Sequence, residues 1–288
     1  MRSEVVVALR HGLWRDGQRH SQARVRCLTG TEEALLADLA FATAVAERAT
    51  VLLSAAVVGL GTIGPVTADT LRDLPIGDRE SLLAAIHRVT FGPRIEAVAS
   101  CSTPGCGVIL DLDIDTDSLR LPPPVTIPQP EYAIDVPGGD GDLHVRFRLP
   151  TGADQEHAAR LAAADVRAAA DCVRDRCVLE IQGPAGRPLD IASNATRIQE
   201  PLEAAIRRLD PGVETTLALS CPSCGHEVAA LLDFGAYLLA ELAGGETIYD
   251  QVDRIARAYH WSEADILALP FARRRRYLTL IAEGGLAA

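Results

Sequence analysis

Residues Glu80–Ile114, ESLLAAIHRVTFGPRIEAVASCSTPGCGVILDLDI, and Glu200–Phe234, EPLEAAIRRLDPGVETTLALSCPSCGHEVAALLDF, are two copies of one block. Glu80, Leu82, Ala84, Ala85, Ile86 and Arg88 recur as Glu200, Leu202, Ala204, Ala205, Ile206 and Arg208 at the same spacing. In each copy an alternating apolar stretch follows, then a cysteine pair with a glycine behind it, then a second apolar stretch. The apolar period changes from helical to strand-like. Each copy therefore predicts a helix, a strand, a knuckle and a strand.

The two knuckles supply Cys101, Cys106, Cys221 and Cys224. Thiolates are soft anionic ligands, and four of them fill the tetrahedron of one zinc ion. The C-x2-C form of Cys221 and Cys224 sets two sulfurs on one side of an ion, and Gly225 permits the tight turn behind them. The C-x4-C form of Cys101 and Cys106 is looser and gains its weight from the repeat. His226 is an alternative ligand in place of one thiolate. A closed four-thiolate site has no open position, so it stabilises the fold and does not catalyse. Cys27, Cys172 and Cys177 are left as core or partly buried thiols. Cys172 and Cys177, five apart on a helix, point too far apart to chelate together.

Outward from the repeats, residues 3 to 28 read as a β-hairpin turning at Asp16-Gly17. Thr29 and Thr31 are candidate helix N-caps, with Glu32 and Glu33 in the first turn. One helix is expected to run through LLADLAFATAVAERATVLLSAAVV, apolar around most of its circumference. Asp78 is expected to cap the helix of the first repeat. LPPPVTIPQPEY and DVPGGDGD (residues 121–142) read as an extended proline-rich linker. A strand at His144–Leu149, a Thr151-capped alanine-rich helix over about 154–176 and a strand at Val178–Ile181 lead to the second repeat. The remainder is helical: Ile248, Val252, Ile255 and Tyr259 share helical spacing, Ser262–Asp265 resembles a capping box, and Pro270 opens a last helix. The expected fold class is α+β, with a zinc-ribbon-like core from the two repeats and helical N- and C-terminal parts. The expected divisions are 1–75, 76–235 and 236–288.

Composition narrows function. The net charge is −11, a poor default for binding nucleic acid or anionic membrane. The N-terminus shows no secretory signal pattern, so the seven cysteines point to a reducing cytoplasm, where cysteine pairs favour metal over disulfide. The apolar run from Ala49 to Val66 is broken by Gly59, Gly61, Gly64 and Pro65, and reads as a buried helix followed by a loop. The formal G-x-G-x-x-G at Gly59–Gly64 lacks the strand before it and the helix after it that a pyrophosphate cradle needs. Asp111, Asp113, Asp115 and Asp117 alternate as a solvated strand face. No nucleophile–base pairing is evident, so no catalytic residue is expected.

The layout as a whole resembles the T4-type baseplate hub assembly proteins of contractile phage tails and bacterial contractile injection systems. The resemblance rests on the hairpin followed by LTGTEEALLADL, on GDRESLLAAIHRVTFG, on SCSTPGC with SCPSCGH, on FRLPTGADQEHAA and on ARAYHWSEADILALPFARRRRYL. The ending around Tyr259-His260-Trp261-Ser262-Glu263 is also similar to the tail of phage tail-assembly chaperones. The resemblance implies a non-enzymatic baseplate component or assembly chaperone, with other baseplate, hub or tube proteins as partners. Candidate partner surfaces are the apolar helix at Leu35–Val58, and Tyr259 and Trp261 with the arginine run Arg273, Arg274, Arg275 and Arg276. The rival reading is a zinc-ribbon regulator that binds nucleic acid through that run. A dinucleotide-dependent enzyme is a weaker third.

Overall fold

In a computed structural model of the chain, residues 4–39, 43–119, 121, 126–138 and 141–285 are described. Strand β1 (Glu4–Arg15) turns at Asp16-Gly17 into β2 (Gln18–Arg26), as the turn signal predicts. The pairing register shifts between Ala8 and Leu13. The bulge needs Gly12, whose φ is +68° and whose added Cβ would lie 2.5 Å from the His20 carbonyl oxygen. Helix α1 (Gly30–Asp38) starts at Thr29, whose side chain and Glu32 form the reciprocal capping box.

The expected single helix from residue 35 onward is two helices. Leu39 is extended, with φ −68° and ψ 132°, and α2 (Val45–Ala56) begins after Ala44. The intervening Ala40–Ala42 lie outside the described residues. The last two residues of the expected helix, Val57 and Val58, instead open β3 (Val57–Leu60), which pairs with β2. β-branched Val57 and Val58 fit a pleated edge better than a helix end. Among the described residues no helix is long and apolar enough to cross a membrane.

Helix α3 (Ala68–Arg72) leads into the first repeat: α4 (Ile76–Phe91), β4 (Arg94–Ser100) and β5 (Ile109–Asp115). Asp78 is not the cap of α4. Pro75 holds that position, and the buried Asp78 carboxylate accepts the backbone N–H groups of Arg10 (2.6 Å), His11 (3.1 Å) and Gly12 (2.6 Å). It thus ties the β1 bulge to the start of α4. Of the proline-rich linker, Pro122–Val125, Gly139 and Asp140 lie outside the described residues.

Part of the expected linker is instead a strand, β6 (Tyr132–Val136), paired with β7 (Leu143–Phe147); α5 (Gly152–Ala162), α6 (Val166–Cys177) and β8 (Val178–Gln182) follow. The expected helix over 154–176 is therefore broken. Asp165 accepts the N–H groups of Arg167 and Ala168 and starts a new helix. The second repeat is α7 (Ile191–Leu209), β9 (Thr215–Ser220) and β10 (Glu227–Leu232). The chain closes with α8 (Phe234–Ala243), α9 (Ile248–Tyr259), α10 (Glu263–Leu267) and α11 (Phe271–Gly285).

Among the described residues four small antiparallel sheets form: β1-β2-β3, β4-β5, β6-β7-β8 and β9-β10. The fold is mixed α+β, as the sequence predicts. Its largest core joins the first sheet to α1, α2, α4 and α8 through residues such as Leu52, Leu53, Leu82, Ile86 and Leu238. That core draws on chain from both sides of residues 75 and 235. The apolar helix α2 spends most of its face here: Leu52, Leu53 and Ala56 are fully buried. A second core lies between the β6-β7-β8 sheet and α7, centred on Val145, Phe147, Ile198 and Leu202. The knuckles carry a third, smaller cluster of Cys101, Leu110, Cys221 and Val228. The two repeats thus diverge at their helices, which enter different cores, and reconverge at their cysteine hairpins.

Candidate metal centre

Each knuckle closes on its hairpin by local backbone bonds. The Cys101 N–H donates to the Val108 carbonyl and the Cys106 N–H to the Thr103 carbonyl. In the second knuckle the Cys221 N–H donates to the His226 carbonyl and the Gly225 N–H to the Cys221 carbonyl. Gly105, Gly107 and Gly225 all have positive φ, at 79°, 59° and 71°, so the glycines carry the left-handed turns that aim the sulfurs inward. Beneath the sulfurs, Leu110, Leu112, Leu219 and Val228 pack the inner faces of the hairpins together.

The structure brings Cys101, Cys106, Cys221 and Cys224 into one cluster, with all four Sγ atoms within 4.8 Å of one another. Cys101 Sγ lies 3.7 Å from Cys224 Sγ, and Cys106 Sγ lies 3.7 Å from Cys221 Sγ. An ion with metal–sulfur bonds of about 2.3 Å in a tetrahedron has sulfur–sulfur edges of about 3.8 Å. Two opposite edges of the sulfur set match that length and the remaining sulfurs lie within 4.8 Å, so the four cysteines could bind a metal. Cys101 and Cys221 are buried, Cys106 is partly buried and Cys224 is exposed.

The electrostatics of the bare sulfurs agree. The backbone N–H of His226, with the Thr103 hydroxyl, holds the Cys224 thiol down at about 6. Cys106, despite the Val108 backbone bond that lowers it, is pushed up to about 11 by desolvation and the neighbouring sulfurs. The Thr103 hydroxyl and backbone lower the Cys101 thiol as well, and a bound cation would favour the thiolate form of each sulfur. Thr103 is the part of the site that the sequence reading missed. Its hydroxyl lies 3.4 Å from Cys101 Sγ and 3.8 Å from Cys224 Sγ. Its only signal was a hydroxyl residue between two cysteines. His226 enters the site through its main chain, by the bonds described above. Cys27, Cys172 and Cys177 stand apart from the cluster, and Cys177 is buried at the end of α6, its thiol pushed up to about 12 by burial.

The residues singled out as partner-binding have unlike surroundings. Tyr259, Trp261 and Tyr277 form a half-buried aromatic group, with Trp261 stacked at 5.3 Å on Tyr259 and edge-on at 4.9 Å to Tyr277. Arg273, Arg275 and Arg276 are exposed on α11. Arg274 is fully buried and bonds both oxygens of Glu33 at 2.5 Å, Gln251 Oε1 at 2.7 Å and the Leu269 carbonyl at 3.2 Å. It joins α11 to α1 and α9. Asp113 pairs with Arg94 at 3.1 Å, Asp117 pairs with Arg88, and Asp115 Oδ1 accepts the Asp117 N–H at 2.8 Å, so three carboxylates of the acidic alternation on β5 and after it are engaged within the chain.

With this geometry in hand, comparison with known proteins adds one result. Residues 62–175 match the family model described as T4 bacteriophage base plate protein. The matched stretch holds the first repeat with its knuckle, Cys101 and Cys106, and runs on through the Thr151-capped helix. Over those residues the chain is similar to T4-type baseplate proteins. Neither the curated proteins nor the solved structures give a match.

Proposed function

We propose that the protein is a non-enzymatic component or assembly chaperone of the baseplate of a contractile injection particle. It acts in the bacterial cytoplasm, or within the assembled particle, by protein–protein contacts. The match of residues 62–175 to the T4 base plate family carries this reading. A structural zinc ion on Cys101, Cys106, Cys221 and Cys224 joins the two hairpins at their tips, where a small apolar cluster lies beneath the sulfurs. A closed set of four sulfurs leaves no position for a substrate, in keeping with a structural role.

The partner surface is the aromatic group of Tyr259 and Trp261 together with Arg273, Arg275 and Arg276. Half-buried aromatics beside exposed arginines are the composition of interface hot spots. With Arg274 occupied inside the chain, three arginines are left to meet an acidic partner. The test is a pull-down from cells that express the whole particle. The wild-type chain is expected to retain baseplate or hub proteins, and Arg273→Ala/Arg275→Ala/Arg276→Ala to lose most of them at unchanged thermal stability. Equal recovery by both chains would remove α11 from the interface. Recovery of nucleic acid in place of protein, lost in the triple variant, would move the reading to the zinc-ribbon regulator.

A further inference from the structure

The two sulfur contacts at 3.7 Å, Cys101–Cys224 and Cys106–Cys221, both run from one knuckle to the other. They share no atom. They are opposite edges of the sulfur tetrahedron, so both can close at once. Cys224 is the exposed member, while Cys101 and Cys221 are buried. An oxidant in solution therefore meets Cys224 first, and Cys101 is already in contact with it to resolve the product.

We propose that this cluster is a thiol–disulfide modification site, in which a peroxide closes Cys101–Cys224 and Cys106–Cys221 between the knuckles. The hairpins then stay joined in two chemically different ways, by a metal under reducing conditions and by covalent bonds under oxidising ones. The inference rests on the sulfur geometry and does not require the metal to be zinc.

The chemistry balances. Peroxide accepts two electrons from the Cys224 sulfur: an S–O bond forms, the O–O bond breaks, and the departing hydroxide leaves as water with the thiol proton. The Cys101 sulfur then attacks the Cys224 sulfur. The S–S bond forms, and the sulfenic oxygen leaves as water with the Cys101 proton. Each disulfide costs two thiol hydrogens and turns one peroxide into two waters, and a second peroxide serves Cys106 and Cys221. Each sulfur pair closes from 3.7 Å to about 2.0 Å, a movement within reach of the glycine turns. Disulfide sulfurs carry no charge, so an ion held by four thiolates departs as the aqueous ion, and the four protons that complete the waters then come from solvent. The two cross-links span 123 and 115 residues of chain, which is where a cross-link constrains the unfolded chain most. A bond within one knuckle would span a few residues and join neither hairpin to the other.

The test uses the full chain as purified. Its metal content is measured first; it is then treated with stoichiometric hydrogen peroxide, alkylated with iodoacetamide under denaturing conditions, and mapped by non-reducing peptide mass spectrometry. The expected products are peptides joining Cys101 to Cys224 and Cys106 to Cys221, a loss of four hydrogens from the intact mass, and release of any bound metal. In Cys224→Ser the link from Cys106 to Cys221 should remain and Cys101 should be recovered alkylated. Bonds within the knuckles, Cys101–Cys106 or Cys221–Cys224, would overturn the proposal. So would sulfinic acids at these positions without disulfides. The metal reading fails or stands separately, on the content measured before peroxide.

Discussion

Arg274→Met offers a sharp test of how the C-terminal helices are anchored. The guanidinium is fully buried and gives two bonds to Glu33, one to Gln251 and one to the Leu269 carbonyl. Glu33 is itself buried, and its carboxyl is raised by desolvation against the pull of Arg274. Methionine roughly preserves the aliphatic stem and removes every donor. It leaves a buried carboxylate facing apolar atoms, with Gln251 and a backbone carbonyl unpaired. Breaking one side of a buried ion pair costs about 3–5 kcal/mol. Replacing both sides with neutral groups of similar shape is close to neutral, so Arg274→Met/Glu33→Met should recover most of the loss. Urea unfolding followed by circular dichroism at neutral pH measures all three variants, with Arg273→Met as the exposed control, expected within about 0.5 kcal/mol of wild type. If Arg274→Met and Arg273→Met shift the midpoint equally, or if the double variant is as unstable as the single, the buried-anchor argument is refuted.

Other predictions concern the metal and the junction at the start of α4. Cys221→Ser should bring bound metal from one ion per chain to near zero and make the knuckles protease-sensitive, whereas Cys172→Ser should leave metal content unchanged; inductively coupled plasma mass spectrometry reads both. Gly77→Ala places a Cβ 2.0 Å from Asp210 Oδ1 and must displace a buried carboxylate that accepts the Gly77 N–H at 3.0 Å; a loss of about 2–4 kcal/mol is expected in urea unfolding. Burial raises Asp210 to about 6, and burial with the Asp210 charge raises Asp78 to about 7, both from 3.8. Folded values above unfolded ones mean stability that is present below pH 4 and lost as pH climbs towards 7. Asp210→Asn keeps the acceptor for Gly77 and removes one charge, so it should be more stable than wild type at pH 8, by up to about 3 kcal/mol, and equal to it near pH 4; a thermal melt series over that range that stays parallel for the two chains would contradict this.

What the sequence revealed was what local chemistry decides. The Asp16-Gly17 turn, the caps at Thr29, Thr151 and Ser262, and the repeat with its paired cysteines were legible because each signal lies within a few residues of its effect. The coming together of the four cysteines was legible for a different reason: two half-sites imply a whole one. What was hidden depended on distant partners. Asp78 looks like a cap but spends its oxygens on a bulge 66 residues or more away. Arg274 sits inside an arginine run and pairs with a residue 241 positions earlier. The helix breaks at Leu39 and Asp165 were masked by apolar or alanine-rich composition, which runs through both sites without interruption. The polar junction of His11, Asp78, Asp210 and Tyr132 gave no sequence pattern at all; His11 Nδ1 lies 3.3 Å from the Tyr132 hydroxyl, and burial lowers the histidine to about 4.

The measurement that bears most directly on the central claim is sedimentation of a lysate in which the tagged chain is expressed with its particle, with mass spectrometry of what travels with it. A baseplate role predicts co-migration with other baseplate, tube or sheath proteins, in heavy particles for a component and in light fractions for a chaperone. A chain that sediments alone, or with nucleic acid and none of those proteins, would contradict it.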